Sequence, residues 1–416
     1  MKLKLGDAGF LFAATLVVNA GNYLINLLLG RILGPERFAE ASVIATGVLM
    51  LSFFAVGIQL TSAKFSAGYF ADRNIMALAV FDKWITKKVL YISLIIGSLF
   101  IFLSPMLQGF LHFNSWIPIA IIGLGIPFYF NMSVKRGLAQ GSDLFKRLAW
   151  TYILEMLLRL LFTLSLVFVA LSYFDYLTSE AVSLGFLASF FAAVWIKPSQ
   201  QSASDKLFED QVLVKKFVGV ILIYEFSQIL INNSDVILVK HFFESEQAGL
   251  YAAIALIGRV VFFGTWTIVT LLFPKVIQRE KQGLPHFSLF WLSFGITAGF
   301  GLCVIGGCVF FPDLIVGILF GEKYLSVSDL LWKYAIATTL FAGANVFAYY
   351  YMSLNKYVPV VLSVIAGICQ VCSIYIYHES LEQVIIVQIW IMATLLLSMI
   401  IFQLTQLAGN KKTLTA

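Results

Sequence analysis

Charged residues are scarce in this chain of 416 residues. Asp, Glu, Lys and Arg make up 12% of it and hydrophobic residues 60%, whereas soluble proteins carry about 25% charged residues. The apolar residues also form long uninterrupted runs. A soluble globular fold is therefore excluded, and the sequence predicts an all-α polytopic membrane protein.

The basic excess is small, with a formal net charge of +6. Lys and Arg occur in short clusters between apolar segments rather than on one domain. This distribution excludes a nucleic-acid partner and leaves membrane lipids as the expected surroundings.

Cysteine and histidine are equally rare, with four of each. All four cysteines lie in apolar segments, and we interpret them as buried thiols, although CQVC at 369–372 has the spacing of a redox pair. The histidines fall in four separate loops, and the chain contains no phosphate-binding loop, zinc-protease motif or nucleophile motif. The sequence thus predicts no enzyme and no cofactor, and leaves open whether H⁺ or Na⁺ is a coupling ion.

Apolar segments of the length needed to cross a membrane, about 20 residues, occur twelve times. They are 9–30, 39–62, 87–109, 116–134, 149–171, 178–196, 216–239, 247–273, 287–311, 328–352, 357–377 and 383–408. The N-terminal segment lacks a convincing small-residue cleavage site, so we interpret it as the start of the first span.

Orientation follows from the basic residues of the loops. With both termini in the cytoplasm, 21 of the 28 Lys and Arg residues fall on the cytoplasmic side, five fall outside and two lie within spans. This excess is the usual signal of cytoplasmic loops. The longest external loop, 312–327, has room for no catalytic domain.

Two halves of six helices are predicted. The polar stretch 197–214 follows the sixth span and separates an N-terminal lobe, 1–204, from a C-terminal lobe, 205–416. A shift of 210 residues aligns 22–53 with 232–263, so span 7 lies over span 1 in the same direction. A parallel repeat of this kind predicts a central cavity between lobes that rock about it.

Polar residues form a stripe on each of two repeat-related spans. At about 100° per residue, those of span 7 fall within roughly 80° and those of span 1 within roughly 60°. They are Glu225, Gln228, Asn232 and Asp235 on span 7, and Thr15, Asn19, Asn22 and Asn26 on span 1. These stripes predict two walls of a cavity, with helix–helix hydrogen bonding as the alternative.

Two arginines lie within spans at mid-membrane depth. Arg159 follows Glu155 by four residues, which places both on one helix face and predicts an ion pair. By depth, Glu225 is a plausible partner for Arg259, and the four residues together are expected to form a buried network. Whether the arginines bind only these acids or also an anionic ligand is open.

Further basic residues close the spans. Arg31 ends span 1 on the outside, and Lys64 and Arg136 end spans 2 and 4 on the inside. A guanidinium suits a phosphate ligand. The alternative is that these residues are only the ordinary orientation signal.

Three blocks resemble one family of transporters. LGRILGPERFAEASVIATGVLML at the first external turn resembles the corresponding junction of the Wzx-type polysaccharide flippases. A second block, in spans 7 and 8, resembles the same family: NNSDVILVKHFFESEQAGLYAAIALIGRVV followed by LLFPKVIQREKQG. A third is the cytoplasmic loop KRGLAQGSDLFKRLAW. The chain departs from the pattern at Ala39, where glycine is common. These flippases belong to the multidrug/oligosaccharidyl-lipid/polysaccharide exporter superfamily.

The resemblance implies export of a polyprenyl-pyrophosphate-linked glycan across the bacterial cytoplasmic membrane. It implies that Arg31 and Lys64 match basic sites of the family and that Asn232 and Asp235 match its span 7 block. Polysaccharide polymerase and assembly proteins are the implied partners. Two other classes stay open: a cation-coupled multidrug exporter of the same fold, and a membrane-embedded glycan polymerase or ligase.

Overall fold

The computed structural model of the chain describes residues 5–195, 210–262, 264, 265, 268, 276, 279, 284–354 and 356–414. The α-helices of this part are α1 (Leu5–Ala71), α2 (Ile75–Leu111), α3 (Ile117–Gly141), α4 (Phe145–Tyr173), α5 (Thr178–Ser189), α6 (Gln211–Phe242), α7 (Ser245–Gly258), α8 (Phe287–Phe310), α9 (Pro312–Leu319), α10 (Leu331–Ser353), α11 (Val358–Ile376) and α12 (Leu381–Leu414). Short 3₁₀ segments occur at Asp175–Leu177, Phe190–Trp195 and Glu322–Leu330.

The described residues contain no strand, and each of the twelve predicted spans overlaps one of these helical segments. Seven described helices are long and apolar enough to cross a membrane. Large apolar side chains point outward from them: Phe102 on α2 is 81% exposed and Phe310 on α8 is 76% exposed. Such side chains require lipid rather than water around them, and the predicted all-α polytopic fold is confirmed.

Predicted spans 1 and 2 run together in α1. The helix is interrupted only at Gly34, whose φ of 72° and ψ of 171° are non-helical. Positive φ is accessible to glycine without strain, and Pro35 then restarts the helix as its fixed φ allows. The charged turn between spans 1 and 2 is therefore shorter than the sequence indicated.

The chain divides into two compact units. Unit 1 comprises residues 1–33 and 40–225, and unit 2 comprises residues 34–39 and 226–416. The division between residues 225 and 226 lies within α6, whereas the predicted boundary at 204/205 and most of the predicted linker lie outside the described residues.

Unit 2 includes the short segment from Gly34 to Ala39. A Cβ at Gly249 would lie 1.7 Å from the carbonyl oxygen of Pro35, so the backbones approach too closely for any side chain there. Phe38 packs against the rings of Phe320 and Tyr324, with centroids 5.7 and 6.4 Å away. Tyr324 lies outside the apolar spans, and burial raises the pKa of its hydroxyl above the ordinary value.

Some predicted features cannot be placed. The block at 271–283 lies outside the described residues apart from Val276 and Arg279. Several basic residues that indicate orientation lie outside them too: Lys2, Lys4, Lys197, Lys206, Lys275 and Lys281. The cytoplasmic location of both termini stays a prediction.

The core of unit 1 depends on close packing between α1 and α3. Gly137 and Gly141 of α3 are four residues apart, and they contact Ser62 and Ser66 of α1, which have the same spacing. A Cβ at Gly137 would lie 2.3 Å from the carbonyl oxygen of Gln59. Small residues at this spacing allow membrane helices to approach closely.

We expect Gly137→Leu to leave little folded protein in the membrane. The new side chain must displace the backbone of α1, an overpacking that costs about 3 kcal/mol or more. Gly68→Leu on α1 is the matched control, because a Cβ there meets nothing within 4 Å. The check is the amount and Tm of purified protein. Equal values for the two variants would contradict the packing described.

Candidate functional site

A polar face of α4 carries two buried charged residues of unit 1, Glu155 and Arg159. Thr151, Glu155 and Arg159 succeed one another at four-residue intervals, which places them on one side of the helix. All three are buried, with exposures of 2, 7 and 8%. The predicted Glu155–Arg159 pair is present, with Glu155 Oε1 accepting from Arg159 Nη2.

Arg136 of α3 joins this face. Its Nη1 lies 2.7 Å from Glu155 Oε2. Its Nε donates to Thr151 Oγ1 at 3.0 Å, and its Nη2 donates to the Thr151 carbonyl oxygen at 2.8 Å. The guanidinium also stacks on the Tyr152 ring, 4.3 Å from the centroid. Arg136 is therefore fixed by three hydrogen-bonding contacts and one aromatic face.

Arg159 is less fully engaged and reaches a second helix. Its Nη1 donates to Asn22 Oδ1 of α1 at 3.0 Å, and its guanidinium lies 4.9 Å from the centroid of Phe186. Its Nε is buried and has no hydrogen-bond partner. A buried donor without a partner is costly, so this nitrogen is suited to an incoming acceptor.

Two guanidiniums share one carboxylate in this group, which we call the arginine cluster: Asn22, Arg136, Thr151, Glu155 and Arg159. Arginine stays protonated at any physiological pH. The cluster therefore holds a net charge of +1 away from water. Since buried charge is stable only when it is paired, the cluster is suited to an anion.

A chain of amides adjoins the arginine cluster through Tyr152. The Nε2 of Gln59 donates to the Tyr152 hydroxyl at 2.7 Å and to Gln140 Oε1 at 2.9 Å. All three side chains are half-buried. Amide and hydroxyl groups of this kind both donate and accept hydrogen bonds, as sugar hydroxyls require.

Unit 2 has its own buried ion pair. Asp235 of α6 is fully buried, and its Oδ1 accepts from Arg259 Nη2 at 3.3 Å. Its Oδ2 accepts from the hydroxyls of Tyr251 and Tyr334 at 3.0 and 2.7 Å. Gln388 Nε2 in turn donates to the Tyr251 hydroxyl at 2.5 Å. We call these five residues the aspartate cluster.

The aspartate cluster is electrically neutral and ties four parts of unit 2 together. Asp235 lies on α6, Tyr251 on α7, Tyr334 on α10 and Gln388 on α12, while Arg259 directly follows α7. Both carboxylate oxygens are occupied. This arrangement favours a role in holding the helices of unit 2 rather than in receiving a ligand.

The prediction that Glu225 pairs with Arg259 is wrong, because Arg259 binds Asp235. Within unit 1, Glu155 pairs with Arg159 as predicted and also with Arg136, which the predicted network did not include. Glu225 is 3% exposed and forms no ion pair with a described residue, and its Oε2 has no hydrogen-bond partner.

The rest of the span 7 stripe makes contacts within unit 2. Gln228 Nε2 donates to Asn345 Oδ1 of α10 at 3.2 Å, and Asn232 Nδ2 donates to the Gln228 carbonyl oxygen at 3.0 Å. Gln370 of α11 donates to the carbonyl oxygen of Ile231 at 3.0 Å. In unit 2 this stripe thus forms hydrogen bonds to other helices, which is the alternative to a cavity wall given by the sequence.

The remaining predicted residues stay outside both clusters. Asn26 donates to the Asn22 carbonyl oxygen, one turn earlier in the same helix. Lys64 is exposed, and its Nζ lies 3.6 Å from the centroid of Phe217. Arg31 is exposed near the kink of α1. Among the described residues, no three His, Cys, Asp or Glu side chains group as metal ligands.

Comparison with known proteins supplies a family and a fold. A family model described as polysaccharide biosynthesis protein matches residues 5–280, which is 276 of the 416 residues. A search of curated proteins finds no match.

Several solved structures share the fold. An inward-facing multidrug resistance MATE family transporter of the MOP superfamily has a TM-score of 0.74 at 13% identity, covering 95% of this chain and 96% of that one. The lipid II flippase MurJ has the same TM-score and identity, covering 95% and 87%. A MOP superfamily transporter from Pyrococcus furiosus has a TM-score of 0.55 at 13% identity, covering 97% and 94%.

Proposed function

Because the chain belongs to the family of polysaccharide biosynthesis proteins, as its three sequence blocks indicated, we propose that it exports a lipid-linked glycan. The protein moves a glycan on a polyprenyl pyrophosphate carrier from the cytoplasmic to the outer leaflet of the bacterial cytoplasmic membrane. It works with the polymerase and assembly proteins of the surface polysaccharide.

The observation that carries this proposal is the arginine cluster. Its net charge of +1 is buried, and Arg159 retains an unpartnered Nε beside its other donors. A planar guanidinium binds phosphate oxygens in pairs. We assign Arg159, with Asn22 beside it, to the pyrophosphate of the carrier.

The half-buried amides extend the proposed site toward the glycan. Gln59, Gln140 and Tyr152 adjoin the arginine cluster and offer hydrogen bonds to sugar hydroxyls. Arg159 is 8% exposed, so binding includes a local opening of the cluster. We further propose that Arg31 contacts the substrate at the outer side of the membrane and Lys64 at the inner side. We propose Glu225 as a contact for the substrate or for a coupling ion.

The fold is shared with multidrug transporters, and deletion of the gene separates the two functions. We expect the deletion strain to accumulate glycan-loaded lipid carrier in the inner leaflet and to lose surface glycan, with unchanged drug sensitivity. The measurements are extraction of lipid-linked glycan, surface staining and growth in cationic drugs.

Complementation controls the deletion experiment. The wild-type gene restores surface glycan, and so does Lys333→Gln, which removes a partly exposed ion pair with Glu382 and a contact with the Trp332 ring. Unchanged surface glycan together with drug sensitivity would refute lipid-linked glycan export and favour the multidrug exporter.

A further inference from the structure

Glu155 lies between two arginines that differ in how many of their hydrogen-bond donors already have a partner. One oxygen of its carboxylate contacts Arg136 and the other contacts Arg159. The pair with Arg159 joins residues one turn apart on α4, whereas the pair with Arg136 joins α4 to α3.

The two guanidiniums differ in how many donors they have left. A guanidinium carries five N–H bonds. All three nitrogens of Arg136 donate, two of them to Thr151 and one to Glu155. Its guanidinium also stacks on the Tyr152 ring. Arg159 uses only its two terminal nitrogens, toward Asn22 and Glu155, and its Nε has no partner. Replacing one hydrogen-bond partner therefore costs less free energy at Arg159 than at Arg136.

We propose that Glu155 is an internal counter-anion that the substrate replaces. A pyrophosphate oxygen takes the place of the Glu155 carboxylate at Arg159 on binding, and Glu155 takes that place back on release. Arg136 holds Glu155 throughout. This inference rests on the proposed function, because it describes how the same site is loaded and emptied.

An exchange of this kind makes Glu155 a determinant of specificity. Without Glu155, the empty site would bury two unpaired guanidiniums, which is unfavourable. With Glu155 present, a ligand must compete with a carboxylate that is already in place. A pyrophosphate does so because it carries more charge and more acceptor oxygens. A neutral or singly charged amphiphile does not.

The test measures binding of two probes to the purified full-length chain: farnesyl pyrophosphate, and farnesoic acid as a monoanion of similar tail. We expect Glu155→Gln to bind farnesyl pyrophosphate about tenfold more tightly than wild type, since one competing charged hydrogen bond is lost. We also expect this variant to gain measurable binding of farnesoic acid. Glu40→Gln is the matched control and should bind as wild type does. Glu40 is a buried carboxylate of unit 1 that accepts from Asn114 N and Ser179 Oγ.

A second variant keeps the test valid if Glu155→Gln does not fold. Arg136→Gln/Glu155→Gln restores the net charge of +1 and frees Arg159 of its competitor, so it too should bind farnesyl pyrophosphate more tightly than wild type. If wild type binds this probe and the folded variants bind it no more tightly, the counter-anion role is refuted. If wild type itself does not bind farnesyl pyrophosphate, the proposed anion site fails, and with it the proposed function.

Discussion

Replacing Arg159 by glutamine is expected to abolish surface glycan while the protein stays folded. The substitution removes the guanidinium with the spare donor but leaves Glu155 paired with Arg136, so no buried carboxylate loses its only partner. Loss of a paired contact to pyrophosphate costs about 2.7 kcal/mol or more, which reduces export about 100-fold. The measurement is surface glycan per molecule of protein in the membrane.

Arg159→Lys separates charge from geometry. Lysine keeps the positive charge but not the planar fork that binds two oxygens. Export by this variant should fall between wild type and Arg159→Gln, and Lys333→Gln, at a partly exposed residue, again serves as the control. Normal surface glycan in a deletion strain that carries Arg159→Gln would remove Arg159 from the site.

Replacing Asp235 by alanine is expected to act on folding instead. Arg259 and the hydroxyls of Tyr251 and Tyr334 all lose their shared acceptor in the core of unit 2. Breaking a buried ion pair on one side costs about 3–5 kcal/mol. We expect a lower Tm and much less protein in the membrane, and the loss of export should follow the loss of protein.

The double variant Asp235→Asn/Arg259→Gln tests this interpretation. It removes both charges together, and a buried pair can often be replaced by neutral groups with little loss of stability. Most of the protein and of its export activity should return. A stable double variant without export would show that the aspartate cluster acts on the substrate, contrary to the structural role argued from its geometry.

Ion pairs within one helix could be predicted from the sequence, and ion pairs between helices could not. Glu155 and Arg159 lie four residues apart, so helix geometry alone brings them together. The pairs Arg136–Glu155 and Asp235–Arg259 depend on how helices are rotated about their axes. Membrane depth, the only coordinate that the sequence supplies, does not specify that rotation.

Arg136 lies within α3, which is longer than the predicted span. The predicted span ended at residue 134, which left Arg136 in a cytoplasmic flank. The helix continues to Gly141, because Gly137 and Gly141 allow it to pack along Ser62 and Ser66. A glycine pair four residues apart, directly after an apolar span, was the signal that could have extended the helix.

The tyrosines of the aspartate cluster carried no signal of their own. Tyr251 and Tyr334 lie among apolar residues, where an aromatic ring is an ordinary core residue. Only the tertiary packing shows that both hydroxyls meet one carboxylate. A buried tyrosine hydroxyl generally needs a partner, but the sequence does not say which residue provides it.

The most direct test of the account is lipid flipping by the purified chain in liposomes. The probe is a fluorescent short-chain prenyl pyrophosphate that carries one sugar, and its transfer between leaflets is followed by quenching from one side. Wild type is expected to accelerate transfer of this probe and not of the matching prenyl alcohol, and Arg159→Gln is expected to lose the acceleration. Equal rates with and without wild-type protein, or equal rates for wild type and Arg159→Gln, would contradict this expectation.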